Sequence, residues 1–209
     1  VIGVDVIQET VDIINAGKVH IVEPGLELMV EEGVKSGFLR AVTSPEPADA
    51  FLIAVPTPFL KHISKDSVPK PDLSYIEAAS RSVAKVLKKG DVVILESTSP
   101  VGTTEKMAEW LAKDRPDLTF PQTHGSISDI RIAYCPERVL PGNVINELIQ
   151  NDRVIGGMTP RCSHRAVELY NIFVKGECVI TDNRTAEMTK LTENACRDVE
   201  IAFANELSV

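Results

Sequence analysis

Residues 135–142 read CPERVLPG, and the interpretation of the surrounding chain depends on this stretch. The apolar run at 130–134 comes directly before it and is typical of a buried strand. Two prolines and a glycine then prevent regular structure, so the stretch is predicted to be a rigid loop. Ligands of open α/β sheets bind at loops that follow the carboxyl ends of strands. Glu137 and Arg138 are therefore a candidate site for a small anionic ligand, and a solvated ion pair on a surface turn explains them equally well.

On both sides of this loop, apolar runs alternate with amphipathic segments. The runs at 50–55 and 92–95 are continuous, as in parallel strands that are buried on both faces. Apolar residues at helical spacing follow them, at 73–87 and from about residue 103. The alternation predicts an α/β fold from residue 1 to about 181, with a doubly wound parallel sheet and helices on both faces.

Two further segments are defined by where Gly and Pro fall. Residues 184–209 contain neither, which predicts one long helix. Residues 59–72 are polar and rich in proline, which predicts a mobile surface loop.

The overall composition restricts the class of protein. The hydrophobic content of 44% and the charged content of 25% are typical of a soluble globular protein. The net charge of −8 argues against a nucleic-acid partner. No apolar run approaches the roughly 18 residues that a membrane span requires. The four cysteines show no C-x-x-C spacing, which argues against a metal centre and for reduced thiols in a cytoplasm.

The chain opens with a strand that ends in an acid, because residues 1–5 read VIGVD. In dinucleotide-binding units, an acid at the end of the second strand accepts hydrogen bonds from the ribose hydroxyls. A Gly-rich phosphate loop should precede it by about 20 residues, and this sequence does not contain one. We therefore expect a preceding strand and its Gly-rich loop before residue 1. Asp5 would repel a 2′-phosphate, so NAD is predicted rather than NADP.

Threonines follow two of the predicted strands, Thr57 between two prolines and Thr98 after the run at 92–95. The helix that begins just after Thr98 carries Thr104 in its first turn. Its unpaired N–H groups can attract a phosphate or the nicotinamide side of a cofactor. A plain strand-to-loop turn and ordinary N-capping by threonine are at least as probable on local grounds.

The long helix carries Lys190, Asn194 and Arg197 within a sector of roughly 60°. Most such polar triples are solvated faces, and without other context this explanation is favoured here too. Apolar residues on the opposite face indicate that the helix packs against another surface, and these are Leu191, Ala195, Val199 and Ala202.

The segments PERVLPG at 136–142 and NDRVIGG at 151–157 resemble the UDP-glucose/GDP-mannose dehydrogenase family, and the resemblance extends over the whole chain. It implies an NAD-dependent oxidation of the C6 hydroxyl of a UDP-sugar to a carboxylate, for surface polysaccharide synthesis. In that family two hydride transfers pass through a cysteine thiohemiacetal and a thioester. UDP-N-acetyl-D-mannosamine is the expected substrate.

Other functions stay open on the sequence alone. UDP-glucose or UDP-N-acetylglucosamine is an alternative substrate for the same reaction. A β-hydroxy-acid dehydrogenase shares the K-x-x-x-N helix and carries out one hydride transfer. A catalytically silent dinucleotide-binding module is a different class altogether.

The resemblance also implies roles for individual residues. Glu137 is expected to act as general base, Thr98 to help hold the catalytic water, and Lys190 with Asn194 to polarise and position the reacting oxygen. The expected NAD contacts are Asp5, Thr57, Thr98 and Thr104. The expected substrate contacts are Arg138, Val139, Lys190, Asn194 and Arg197. No metal is expected.

The same resemblance predicts the domain organisation. Residues 1–181 are expected to be the NAD-binding domain, and residues 182–209 the start of a central connecting helix that forms a homodimer. The family's UDP-binding domain and its Gly-Gly-His-Cys nucleophile segment are not in this sequence, so the chain alone is expected to be inactive. Pro141 stands where some relatives have a glutamate that contacts the cofactor. The expected partner is a UDP-sugar in the cytoplasm, without nucleic acid or membrane.

Overall fold

The computed structural model describes residues 1–60, 68–140 and 142–208. The strands are β1 (Ile2–Val4), β2 (Arg40–Val42), β3 (Ala50–Ile53), β4 (Val92–Leu95), β5 (Arg131–Tyr134), β6 (Arg153–Gly157) and β7 (Cys178–Asp182). The α-helices are α1 (Gln8–Asn15), α2 (Leu26–Lys35), α3 (Ser74–Ala84), α4 (Thr103–Asp114), α5 (Pro121–His124), α6 (Val144–Gln150), α7 (Pro160–Tyr170) and α8 (Asn183–Leu207).

The main sheet has the order β3-β4-β5-β6-β7. Because successive residues of a strand point to opposite faces, its apolar residues divide into two cores. One core packs β3, β4 and β5 against α3 and α4, with Val93 and Leu95 at its centre. The other packs the alternate residues of β4 and β5, including Val92 and Ile94, against α7. The predicted α/β class with helices on both faces is confirmed.

The sheet is not parallel throughout, which corrects the sequence-based prediction. Strands β3, β4 and β5 are parallel, but β5 and β6 are antiparallel, with Ala133 opposite Gly157. A parallel crossover needs a helix that carries the chain back across the sheet face. Among the described residues between β5 and β6, the only α-helix is α6, which has seven residues, none of them buried. The chain therefore re-enters the sheet from the end at which it left, and α7 then returns it to β7, parallel to β6.

Strands β1 and β2 form a separate parallel pair, not the beginning of the main sheet. The Glu23 carboxylate, in the loop before α2, accepts hydrogen bonds from the backbone N–H of Gly142 at 2.9 Å and of Val144 at 3.0 Å. These bonds connect the segment that leads into α2, next to the β1–β2 pair, to the end of the 135–142 loop.

The predicted long helix is present as α8, and Gly156 of β6 determines how closely it packs. A Cβ atom added to Gly156 would lie 2.4 Å from the Asp182 carbonyl oxygen and 2.6 Å from the Cβ of Ala186. The amino end of α8 therefore rests directly on the β6 backbone, with Asn183, Ala186 and Glu187 buried.

The carboxyl half of α8 differs from the sequence-based expectation. Its supposed packing face is exposed at Ala195, Val199 and Ala202, with Val199 at 67% exposure. None of the described residues covers it.

Two smaller features complete the description. The short helix α5 and the 3-10 turn at Gly125–Ile127 were not predicted. Half of the predicted mobile loop, at 61–67, and Pro141 lie outside the described residues. At the loop's ends, Phe59 and Pro71 form an isolated antiparallel bridge. In the described part of the chain, no helix has the length and apolar character needed to cross a bilayer.

Candidate functional site

Three loops meet at one edge of the main sheet, because the parallel strands β3, β4 and β5 all end there. The first two loops are joined by hydrogen bonds. The backbone N–H of Val55 donates to the Ser97 hydroxyl at 2.8 Å, and the Thr57 hydroxyl donates to the Thr98 carbonyl at 2.6 Å. Thr57 and Thr98, two of the three threonines that the sequence proposed as cofactor contacts, therefore lie side by side.

The third loop carries Glu137, and α8 lies against it. The Glu137 carboxylate turns back and accepts a hydrogen bond from the N–H of Val139. Its backbone carbonyl accepts a hydrogen bond from the Lys190 ammonium at 2.6 Å. Lys190 and Glu137, 53 residues apart in the sequence, thus share one location.

Arg138 is paired with a residue that sequence reasoning missed. Its guanidinium forms a bidentate ion pair with the Glu193 carboxylate of α8, in which Nε lies 2.9 Å from Oε2. The side chains are 32% and 38% exposed, so the pair adds about 0–1 kcal/mol of stability and mainly fixes orientation. One feature of the sequence could have identified Glu193. It lies three residues after Lys190, which places the two side chains next to each other on the helix surface.

Asn194 and Arg197 lie further along α8 and are exposed. Within the described ranges neither side chain has a hydrogen-bond partner. The structure therefore brings Lys190 to Glu137, and leaves Asn194 and Arg197 facing outward from the same helix. Their assigned roles stay predictions.

The amino end of α4 is already occupied, which alters the interpretation of Thr104. The Glu187 carboxylate, fully buried, accepts the N–H of Gly102 at 2.6 Å and the N–H of Thr104 at 2.8 Å. The Thr104 hydroxyl donates to the same carboxylate at 2.6 Å. Thr104 is itself fully buried, so the open helix end that the sequence suggested for a phosphate is filled by a side chain of the protein. A cofactor contact by Thr104 stays a prediction that this geometry does not favour.

Asp5 follows β1 in the small sheet and is partly buried. One of its oxygens, Oδ1, accepts the N–H of Ile7 at 2.8 Å. In the described chain the other oxygen has no donor. It is therefore available to a ligand hydroxyl.

A buried polar cluster lies directly beneath the site, where β4 and β5 end. The Tyr170 hydroxyl donates to Glu96 at 2.6 Å, and the Arg153 guanidinium lies 5.6 Å from the centre of the Tyr170 ring. Burial raises the pKa of the Glu96 carboxyl, while the Tyr170 hydrogen bond and the Arg153 charge oppose the increase. Burial also raises the pKa of the Cys135 thiol to about 12, so this thiol is not an activated nucleophile.

Residues 1–174 match the model of the UDP-glucose/GDP-mannose dehydrogenase family, NAD binding domain. The chain belongs to this family. The resemblance inferred from the sequence is thereby confirmed.

Several dehydrogenases of the family are similar to this chain over its whole length. It is 66% identical to the UDP-N-acetyl-D-mannosamine dehydrogenase of Escherichia coli and 65% identical to that of Campylobacter jejuni, with all of this chain aligned in both cases. It is 64% identical over its whole length to an NDP-N-acetyl-D-galactosaminuronic acid dehydrogenase of Ralstonia nicotianae. The chain spans about half of these relatives, at 48%, 50% and 48% of their lengths respectively.

A solved structure in the family has the same architecture. The UDP-N-acetyl-mannosamine dehydrogenase of Staphylococcus aureus superposes with a TM-score of 0.86 at 42% identity, covering 99% of this chain and 47% of that chain. The mixed sheet described above therefore belongs to a fold that this chain shares with a solved member of the family.

The family's cofactor, NAD, fits the residues present. Asp5 offers a carboxylate oxygen for ribose hydroxyls, as an acid at this strand end does in dinucleotide-binding folds. The paired Thr57 and Thr98 line the sheet edge where such ligands lie. The roles of these three residues in holding the cofactor stay predictions.

Proposed function

We propose that the complete protein is an NAD-dependent UDP-sugar 6-dehydrogenase that converts UDP-N-acetyl-D-mannosamine to the corresponding uronate. The observation that carries the proposal is the 2.6 Å hydrogen bond from the Lys190 ammonium to the Glu137 loop, which puts a cation and a carboxylate at one sheet edge. Identities of 65% and 66% to UDP-N-acetyl-D-mannosamine dehydrogenases support the choice of sugar.

The residues at this edge suit an oxidation of an alcohol to an acid. NAD, when bound, would accept the hydride, and two NAD would be consumed for each sugar. Lys190 stabilises the negative charge that develops on the reacting oxygen, as an oxyanion-hole donor does. Glu137 removes a proton from the attacking water, which Thr98 helps to hold. Asn194 assists Lys190 in positioning the same oxygen.

Substrate contacts in this proposal come from the loop and the helix together. Arg138 and Val139 of the loop, with Arg197 of α8, contact the substrate. Because Arg138 is paired with Glu193, its guanidinium is held in one orientation before substrate arrives.

The domain organisation is part of the proposal. We assign residues 1–181 to the NAD-binding domain and 182–209 to the start of a connecting helix. A UDP-binding domain and the nucleophilic cysteine belong to the part of the protein outside this chain, so the chain alone is inactive. We infer a homodimer formed through the connecting helix. We also infer a cytoplasmic location, since all four cysteines are free thiols.

A second candidate substrate is a UDP-N-acetylgalactosamine-type sugar. It is favoured by the 64% identity to the Ralstonia dehydrogenase named for N-acetyl-D-galactosaminuronic acid. The two candidates share the N-acetyl group and the C6 chemistry, and differ in the configuration of the ring.

The test uses the complete enzyme with each UDP-sugar in turn and counts the NADH formed. Two NADH for each UDP-N-acetyl-D-mannosamine are expected, with a lower kcat/KM for UDP-glucose and for the N-acetylgalactosamine sugar. Lys190→Ala should lower kcat by roughly 100-fold or more and change KM little, because the stabilised charge is greatest in the transition state. One NADH for each UDP-sugar would mean that the oxidation stops at the aldehyde. Turnover of a β-hydroxy acid with one NADH, and of no UDP-sugar, would instead indicate a β-hydroxy-acid dehydrogenase. NAD binding without turnover of any UDP-sugar would contradict the proposal.

A further inference from the structure

Glu187 is a fully buried carboxylate in the first half of α8. Its two oxygens accept three hydrogen bonds: from Gly102 N–H at 2.6 Å, from Thr104 N–H at 2.8 Å and from the Thr104 hydroxyl at 2.6 Å. The partners lie more than 80 residues earlier in the sequence, so this contact joins two distant elements. Neither the composition nor the motifs of the chain point to it.

The contact supplies a cap that α4 lacks locally. The N-cap residue Gly102 has a φ of 95° and provides no side-chain cap. Glu187 takes the place of a local cap, and its negative charge is favourable at the positive end of the α4 dipole. If α8 moved away, two N–H groups and a carboxylate would lose their hydrogen-bond partners in a buried place, which is unfavourable. The position of α8 relative to α4 is therefore tightly constrained.

Lys190 follows Glu187 by three residues, which places it on a neighbouring side of the helix about 4.5 Å further along the axis. Glu187 thus holds α8 at the loop after β4, which contains Thr98. Lys190 and Glu193 hold the next turn at the loop after β5, through Glu137 and Arg138. The two loops of the candidate site are connected to each other through one short stretch of helix.

We propose that Glu187 is a positioning residue for the oxidation, acting through Lys190. It fixes the Lys190 ammonium relative to the Thr98 loop, and it does not contact the substrate or NAD. This inference rests on the proposed function. It predicts that loss of the carboxylate disturbs the reacting geometry even in enzyme that is fully folded.

The test compares variants of the complete enzyme. Glu187→Gln keeps the size of the side chain but presents an NH₂ group to backbone donors, so at least one N–H loses its acceptor. Thr104→Val removes only the hydroxyl donor and is the milder variant. Glu105→Gln is the matched control, because it breaks the exposed Arg184–Glu105 ion pair at the same α4–α8 junction. Each variant is measured well below its unfolding temperature.

For Glu187→Gln we expect kcat to fall at least tenfold, with less than a threefold change in the KM of the sugar. Thr104→Val should give a smaller fall in kcat, and Glu105→Gln no change. The decisive measurement is Glu187→Gln in a Lys190→Ala background. If Glu187 acts through Lys190, the second substitution adds no further loss of kcat. If Glu187 had a purely structural role, Glu187→Gln would lower the unfolding temperature and leave kcat within twofold of the wild type. Alternatively, it would lower kcat by the same factor in the wild-type and Lys190→Ala backgrounds. Either result overturns the proposal.

Amide hydrogen exchange gives a readout that does not require turnover. In Glu187→Gln, and not in Glu105→Gln, exchange should become at least tenfold faster in peptides covering 98–106 and 185–195. Unchanged exchange would overturn the proposal. If the wild-type enzyme oxidises no UDP-sugar, the proposed function is wrong, and exchange alone then decides whether Glu187 fixes α8. If Glu187→Gln does not fold, the same kinetic and exchange comparisons are made with Thr104→Val.

Discussion

The pair formed by Glu96 and Tyr170 makes the stability of the domain depend on pH. The Tyr170 hydroxyl donates to the Glu96 carboxyl at 2.6 Å, and burial raises the pKa of that carboxyl above its ordinary value of 4.5. Between the ordinary and the raised pKa, the folded chain keeps a proton that the unfolded chain has lost. The free energy of unfolding therefore falls as the pH rises through this window, and levels off above it.

Replacing Glu96 with Gln removes this titration while keeping an acceptor for the Tyr170 hydroxyl. Relative to the wild type, the variant should gain stability as the pH rises from about 4 to about 8. Urea unfolding of both proteins across this range measures the difference. Asp182→Asn is the control, because hydrogen bonds from Thr185 lower the pKa of Asp182 below its ordinary value of 3.8. Its contribution to stability is lost only as the pH falls below that value, so its difference from the wild type should stay nearly constant across this range. Parallel pH profiles for the wild type and Glu96→Gln would contradict the prediction.

The four cysteines should differ sharply in reactivity. Cys135 and Cys162 are buried, and burial raises the pKa of the Cys135 thiol to about 12, whereas Cys196 is exposed on α8. Treatment of the folded chain with iodoacetamide near pH 8 should therefore modify Cys196 first and leave Cys135 unmodified until the protein unfolds. Mass spectrometry of the digested protein reports each site. Modification of Cys135 in folded protein would contradict its burial.

At the level of elements, the contact between β6 and α8 depends on Gly156. A Cβ there would lie 2.4 Å from the Asp182 carbonyl oxygen and 2.8 Å from the Cα of Asn183, which are backbone atoms that cannot turn aside. Gly156→Ala should therefore destabilise the domain by about 1–3 kcal/mol, because it pushes the amino end of α8 off the sheet.

Gly3→Ala is the matched control, since Gly3 also lies in a strand and the nearest atoms to its added Cβ are 3.9 Å away. Denaturant unfolding compares the two variants. In the complete enzyme, Gly156→Ala should also lower kcat, because α8 carries Lys190. Equal stability of the two variants would mean that α8 tolerates displacement from β6.

Sequence patterns predicted the features of the fold that depend on residues close together in the chain. Buried strands such as 92–95 are continuous apolar runs, and glycines follow several helices, so the order of the strands and of the longer helices followed from the sequence. The direction of β6 did not follow, because a helical pattern between two strands does not reveal whether that helix crosses the sheet. The seven residues of α6 stay at one end of it.

The candidate site shows the same limit. Lys190 was found from its spacing on a helix and from the family resemblance. Glu187 and Glu193 were missed because their partners, Thr104 and Arg138, are distant in sequence. In the sequence, nothing distinguishes Glu187 from the other charged residues of the long helix. Only the fold shows that it is buried.

At the level of the whole molecule, α8 is a long helix of which only the amino end is packed. It has 25 residues and is about 38 Å long, yet its buried residues all lie in the first two turns. Val199, Phe203 and Leu207 recur at a spacing of four, so they form one apolar stripe, and they are 67%, 65% and 71% exposed. A helical half without tertiary contacts is marginal in water, so this stripe needs a covering surface.

The proposed homodimer would supply that surface from a second copy, and Phe203→Glu tests it. A charge in the middle of the stripe cannot be buried without a partner, so the variant of the complete protein should sediment as a monomer at concentrations where the wild type is a dimer. Ile172→Glu is the matched control, because Ile172 is 78% exposed but lies outside α8. Sedimentation velocity over a range of concentrations measures both variants. A dimeric Phe203→Glu protein would show that the dimer does not form through this stripe, and a monomeric wild type would rule out the dimer itself.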